Sequence, residues 1–195
     1  FRANLLNHFK ASRRNFLKKS AIILSNIINK NKIRNIIFLN YVPELSQFLY
    51  WTQQMLAESL GKKGKGFLPL VSSAPKDHHS LLQLYLEGPR DKLFYIFSSN
   101  QIDKKKINSK ILGNKFGYLN NKSLNKIKTA QKNSFIQVLK KKKIPFREFR
   151  IKDQSEKVLG ELFSYFMLET ALIGKLNNTN PFDQPSVEEV KINTK

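Results

Sequence analysis

Cysteine is absent from this chain of 195 residues, which excludes disulfides, thiolate nucleophiles and cysteine-built zinc sites. Histidine is scarce: three residues, two of them adjacent, give a His-built metal centre little to work with. Long apolar runs are missing too, and none reaches the roughly 20 residues that span a bilayer. No segment has the basic, apolar and cleavable parts of a secretory signal in order. What is present suits a packed core: 41% hydrophobic residues, 15 Phe and 6 Tyr, which exclude wholesale disorder. The length fits one domain or one and a half. The chain opens on Phe1, and FRANLLNHFKASRRNF reads like the middle of a polypeptide, so a piece without its upstream half is expected.

Acidic side chains are the other shortage. Asp and Glu number 14 against 35 Lys and Arg, a formal net charge of +21. Such a balance suggests polyanion binding. The excess is concentrated between Asn100 and Lys152, which hold 16 basic and 2 acidic side chains. No zinc finger, glycine-bearing RNA-binding signature or heptad basic region accompanies them. A solvated surface rich in Lys and Asn accounts for the same charge, and nucleic acid is not the expected partner.

Helical and extended patterns alternate along the chain. Arg13 to Asn31 reads as a helix, with Phe16, Ala21, Ile22, Leu24, Ile27 and Ile28 largely at three- and four-residue intervals. IRNIIFLNYV, from Ile33 to Val42, reads as a strand stopped by Pro43. Glu44 to Leu60 carries Leu45, Phe48, Leu49, Trp51, Met55 and Leu56 on a helical stripe and stops at Gly61. Gly61 to Pro69 reads as a flexible loop. Asp77 is expected to cap the helix HSLLQLYLEG, closed by Gly88-Pro89. Lys92 to Ser98 reads as a second strand, Asn100 to Asn121 mostly as loop, and Ser123 to Lys142 as a basic amphipathic helix. Pro145 to Ile151 gives a third strand. Gln154 to Leu176 gives a long helix burying Leu159, Leu162, Phe163, Phe166, Met167, Thr170 and Ala171. A short helix is expected around Val187 to Val190. Strands alternating with helices imply a parallel sheet, with ligands at its carboxyl ends, so the loops after Val42, Ser98 and Ile151 are the first to inspect.

Three constellations could carry chemistry. Glu58 stands near the end of a helix, before a glycine-rich segment that lets a backbone approach a ligand closely. An exposed helix Glu beside a surface loop fits the same residues. The segment lacks the spacing of a phosphate-binding Walker motif. Asp77-His78-His79-Ser80 holds the only imidazole pair, suited to acid–base work near neutral pH. A helix cap followed by two surface His is the plainer reading, and adjacent helical residues do not face one metal site. NPFDQPSVEEVK could be a docked extension, or a lid carrying Gln184 and Lys191 to a polar ligand.

Taken together, the stretches LSQFLYWTQQMLAESLGKKGKG, DHHSLLQLYLEGPRDKLFYIF and GELFSYFMLETALIGKLNNTNPFDQPSVEEVK resemble the glucose-6-phosphate isomerase family in its shorter bacterial form. They follow the family order and lie between Tyr41 and Lys191. AESLGK and NPFDQP-x-VE-x-x-K are the specific parts. The resemblance implies a metal-free, cofactor-free interconversion of glucose 6-phosphate and fructose 6-phosphate. It implies that Glu58 is the base moving a proton between C1 and C2 through a cis-enediol(ate). It implies that His79, and not His78, assists ring opening in the neighbouring subunit of a homodimer. Lys191 would help open the ring and stabilise charge, and Gln184 would lie near the substrate. A cytoplasmic enzyme with no membrane partner follows.

The implied fold is α/β. Residues 1–32 would be a helical linker from a missing first sugar-isomerase-type (SIS) subdomain. Residues 33–176 would form the second, a three-layer subdomain with a mainly parallel sheet flanked by helices. Residues 177–195 would be a tail carrying site residues. Two departures stand out. Ser186 replaces a usual Gly, a small-for-small change. The family's Ser/Thr-rich phosphate grip and its Gly-Arg pair have no counterpart here, so the chain by itself is expected to be inactive. A non-catalytic sugar-phosphate-binding module of the same fold and a basic nucleic-acid-binding protein are the alternatives.

Overall fold

The computed structural model describes residues 16–30, 32–99, 105–109 and 113–194. The ends of the first expected helix and part of the 100–121 loop lie outside them. Helix α1 (Phe16–Lys30) buries Ala21, Leu24 and Ile28. Phe16 and Ile22, expected on that stripe, are exposed. Strand β1 (Asn35–Asn40) is apolar at Ile36, Ile37, Phe38 and Leu39, with every one buried. An uninterrupted apolar run of this kind is what a strand covered on both faces requires. A 3-10 turn, Pro43–Leu45, leads into α2 (Ser46–Leu60).

The segment read as a loop, Gly61 to Pro69, runs at its end into a strand that pattern rules do not favour, β2 (Leu68–Ser73). It is an edge strand with Pro69 inside it and with Leu68 and Leu70 exposed. A proline donates nothing to a ladder, so it is tolerated only where one side of the strand is unpaired. The expected helix from His79 to Gly88 is two short ones, α3 (Lys76–Ser80) and α4 (Leu82–Glu87), separated at Leu81. Asp77 is not their cap. Its carboxylate accepts the Ser73 N–H at 2.7 Å and the Ser72 and Ser80 hydroxyls at 2.9 and 3.2 Å, which ties α3 to the end of β2.

Strand β3 (Lys92–Ser99) is central and buried along almost its whole length. Helix α5 (Leu124–Lys141) starts at Ser123, whose hydroxyl accepts the Lys126 N–H. Its last turn carries Lys140 and Lys141, where cations favour the negative end of the helix dipole. Strand β4 (Phe146–Ile151) forms the other edge. Helix α6 (Glu156–Leu176) is capped by Ser155, and α7 (Pro185–Asn193) closes the described chain. Along α6, Leu162, Phe166 and Thr170 are buried as expected, but Met167 is exposed and Glu169 takes a buried position.

All four strands run parallel in the order β2-β1-β3-β4, with Ile37 opposite both Leu70 and Phe94. Helices α1, α2 and α6 cover one face of the sheet, packing Leu24, Phe48 and Phe166 against Phe38 and Phe97. Helices α4 and α5 cover the other, packing Tyr85 and Phe135 against Phe94 and Ile96. This is the expected three-layer α/β architecture. Among the described residues, no helix is long and apolar enough to cross a membrane.

Candidate active site

Helix α2 leaves the carboxyl end of β1 and runs back to the amino end of β2, so Glu58, in its last turn, lies beside the amino ends of the strands. The loop after it turns sharply over the helix end. Gly66 has φ +111°, and a Cβ there would sit 2.7 Å from the Leu60 carbonyl oxygen. This glycine therefore serves the chain's approach to its own backbone.

The tail returns to the same place. Asn177, at the end of α6, is buried and its Oδ1 accepts from Ser25 Oγ at 2.5 Å and Asn29 Nδ2 at 3.1 Å, which locks the tail's root onto α1. The chain then folds so closely over α6 that a Cβ on Gly174 would lie 3.1 Å from Pro181. Lys62 Nζ receives it, donating to Asn180 O at 2.6 Å, to Asp183 Oδ1 at 2.8 Å and to Asp183 O.

The result is a contact across 126 positions of sequence: Gln184 Nε2 donates to Glu58 Oε2 at 2.8 Å. Gln54, one helical turn before Glu58, donates its own Nε2 to Oε1 at 2.8 Å. Each carboxylate oxygen thus holds one carboxamide N–H. The half-buried carboxylate is fixed in orientation and retains lone pairs for a further proton. Such an arrangement can act as a positioned general base. The pattern of residues had singled out Glu58 and Gln184, but not Gln54 or Lys62. The spacing of four between Gln54 and Glu58 was the available signal for the first. Nothing local marks Lys62, because its partners arrive from the tail.

Two other expected site residues are elsewhere. His79 is exposed on α3, which follows the carboxyl end of β2. A six-residue strand is roughly 20 Å long, so His79 and Glu58 lie at opposite ends of the sheet. Lys191 is exposed on α7 and pairs with Glu188 at 2.7 Å. His78 is a packing residue. Its Nε2 is 2.7 Å from the Tyr41 hydroxyl, and its ring lies 5.7 Å from Tyr41 and 5.4 Å from Phe135. Burial pushes the His78 pKa down, against an upward pull from Asp77, and burial pushes the Tyr41 hydroxyl well up. A neutral imidazole accepting from a protonated phenol suits both shifts.

The carboxyl ends of β1 and β3 do frame a cleft, lined by Tyr41, Ser98, Lys128, Thr129, Lys132 and Gln154 among others. It contains none of Glu58, His79, Gln184 or Lys191. Lys132 there pairs with Glu148 at 2.5 Å. Among the described residues, no group of three or more His, Asp and Glu side chains is placed to hold a metal ion.

No family model matches the chain. Similar proteins do. The glucose-6-phosphate isomerase of Methanocaldococcus jannaschii is 31% identical over 161 residues, covering 80% of this chain and 38% of that protein. The glucose-6-phosphate isomerase of Lactobacillus helveticus is 33% identical over 175 residues, covering 87% and 39%. A crystal structure of a glucose-6-phosphate isomerase from Chlamydia trachomatis superposes with a TM-score of 0.74 over 93% of this chain and 38% of that one. Its 17% identity makes that a likeness of fold. The chain spans about two-fifths of the length of the curated relatives it matches. The chain belongs to the glucose-6-phosphate isomerase family.

Proposed function

We propose that this chain is the carboxyl-terminal, base-bearing part of an enzyme that interconverts glucose 6-phosphate and fructose 6-phosphate. The observation that carries the proposal is the pairing of Glu58 with Gln184, in a chain whose relatives bear that enzyme's name. An aldose–ketose shift needs one base to take a carbon-bound proton and return it to the neighbouring carbon. In this reading Glu58 is that base, acting between C1 and C2 through a cis-enediol(ate). Gln184 donates from beside it and lies near the substrate. Lys191 leaves Glu188 to assist ring opening and to support the developing oxyanion. Helix α7, which has no buried residue, is free enough to carry it.

His79 opens the ring in the neighbouring subunit's site. Its exposure, and its place at the far end of the sheet from Glu58, support a role in another copy. The second SIS subdomain, residues 33–176, and the tail, residues 177–195, are then completed by an upstream subdomain carrying the phosphate grip. The enzyme is a homodimer of the cytoplasm, where its phosphorylated sugars are.

The test is a coupled assay on the polypeptide completed by an upstream half. Saturable conversion of fructose 6-phosphate is expected, and its absence would overturn the reading. Within that protein, His79→Ala should slow turnover of cyclic substrate more than open-chain substrate. His78→Ala should leave that ratio unchanged and instead lower stability, since it removes a part-buried hydrogen bond and two ring contacts, worth about 1–3 kcal/mol together. Kinetics on both substrate forms, with thermal melts, separate the two histidines. A sensitive His78 and an indifferent His79 would sink the assignment.

A further inference from the structure

The tail beyond Pro181 has almost no apolar anchor. Phe182 is 85% exposed, and α7 buries nothing. Its position is set by polar contacts, and Lys62 makes most of those the structure gives it.

Lys62 begins the stretch that follows Gly61, four residues after Glu58. Its ammonium group has three hydrogens and meets three oxygens of the tail: Asn180 O, Asp183 O and Asp183 Oδ1. The Lys62 side chain is only 11% exposed, unusual for a lysine, whereas its partner Asp183 is 52% exposed. The Lys62 hydrogen bond also holds the Asp183 carboxyl below the usual carboxylate range. Gln184 is the next residue after Asp183. Lys62 is therefore joined to Glu58 through the end of α2 and Gly61, and its partner Asp183 is joined to Gln184 through one peptide bond.

We infer that Lys62 is a positioning residue: by gripping the 180–183 turn it sets the approach of the Gln184 carboxamide to Glu58, and with it the geometry of the base. This rests on the reading of Glu58 as the base. Two of the three acceptors are backbone carbonyls, so the grip is on the path of the chain and survives changes of tail side chains. Lys63 makes a weaker contact farther back, to Asn178 O at 3.3 Å, and does not reach the turn before Gln184.

The experiment has two arms. In the completed polypeptide, Lys62→Met should lower kcat by about 10²-fold, the cost of a misplaced group near the chemistry, with a much smaller change in KM. Lys62→Arg should recover part of the loss, because it restores the charge but not three converging hydrogens. Lys63→Met, the control, should stay near wild type. In the second arm, amide exchange of residues 177–194 should speed up in Lys62→Met while exchange in α6 is unchanged. Wild-type turnover with Lys62→Met within twofold of it would overturn the inference, as would unchanged exchange of the tail. If the wild-type polypeptide itself shows no isomerase turnover, the functional reading has failed, and the exchange arm still decides the grip.

Discussion

Glu58→Gln in the completed polypeptide is expected to lower the isomerisation rate on the order of 10²–10⁴-fold, the usual cost of losing a general base. The substitution keeps the length and shape of the side chain, so its effect is chemical rather than steric. Gln54 and Gln184 each donate to one oxygen of Glu58. An amide offers only one oxygen, so one of those donors must also turn away. That second effect is worth about 1 kcal/mol, well short of the rate loss from the missing base. Open-chain substrate isolates the step, because ring opening then drops out. A Gln variant that isomerises open-chain sugar at close to the wild-type rate would remove Glu58 from the role of base.

The largest stability effect is expected at Glu169, which lies in the core and not in the site. Its residue is 2% exposed. Arg147 Nη1 reaches both of its oxygens at 3.1 Å, the Tyr165 hydroxyl donates to it at 2.7 Å, and Ser20 Oγ donates from α1. Arg147 also lies over the Tyr95 and Phe149 rings at 4.7 and 4.9 Å and donates to the hydroxyls of Tyr95 and Tyr165. Glu169→Ala leaves that guanidinium buried without its counter-charge. Such losses cost about 3–5 kcal/mol, a fall in Tm of roughly 10 °C for a chain of this size. Replacing both partners with apolar residues, Glu169→Leu with Arg147→Met, should recover much of the loss. Thermal melts of the single and double variants decide it. A Glu169→Ala protein melting within 2 °C of wild type would mean that solvent reaches Arg147 freely.

Much of the α/β scaffold was legible because its signals are local. The apolar runs of β1 and β3 and the stripes of α2 and α6 follow from periodicity, which the backbone repeats within a few residues. Strand β2 was not legible. Its proline and its two exposed leucines make sense only once it is known to be an edge. Asp77 has the residue type of a helix cap, yet it bonds backward to the strand end, a choice that depends on where α3 sits relative to Ser72 and Ser73.

For the site, the sequence by itself determined which residues carry suitable chemistry: a carboxylate at Glu58, a carboxamide at Gln184, an imidazole at His79 and an ammonium at Lys191. Tertiary structure alone decided their grouping. Glu58 meets Gln184 because Asn177, held on α1, and Lys62, holding the turn before Gln184, bring the tail back, contacts formed across more than a hundred positions. His78 is packed beneath Tyr41 while His79 faces solvent, although the two are adjacent and chemically identical. Residue type sets what a group can do. Its neighbours and its access to water, which arise only when distant segments pack, set what it is placed to do.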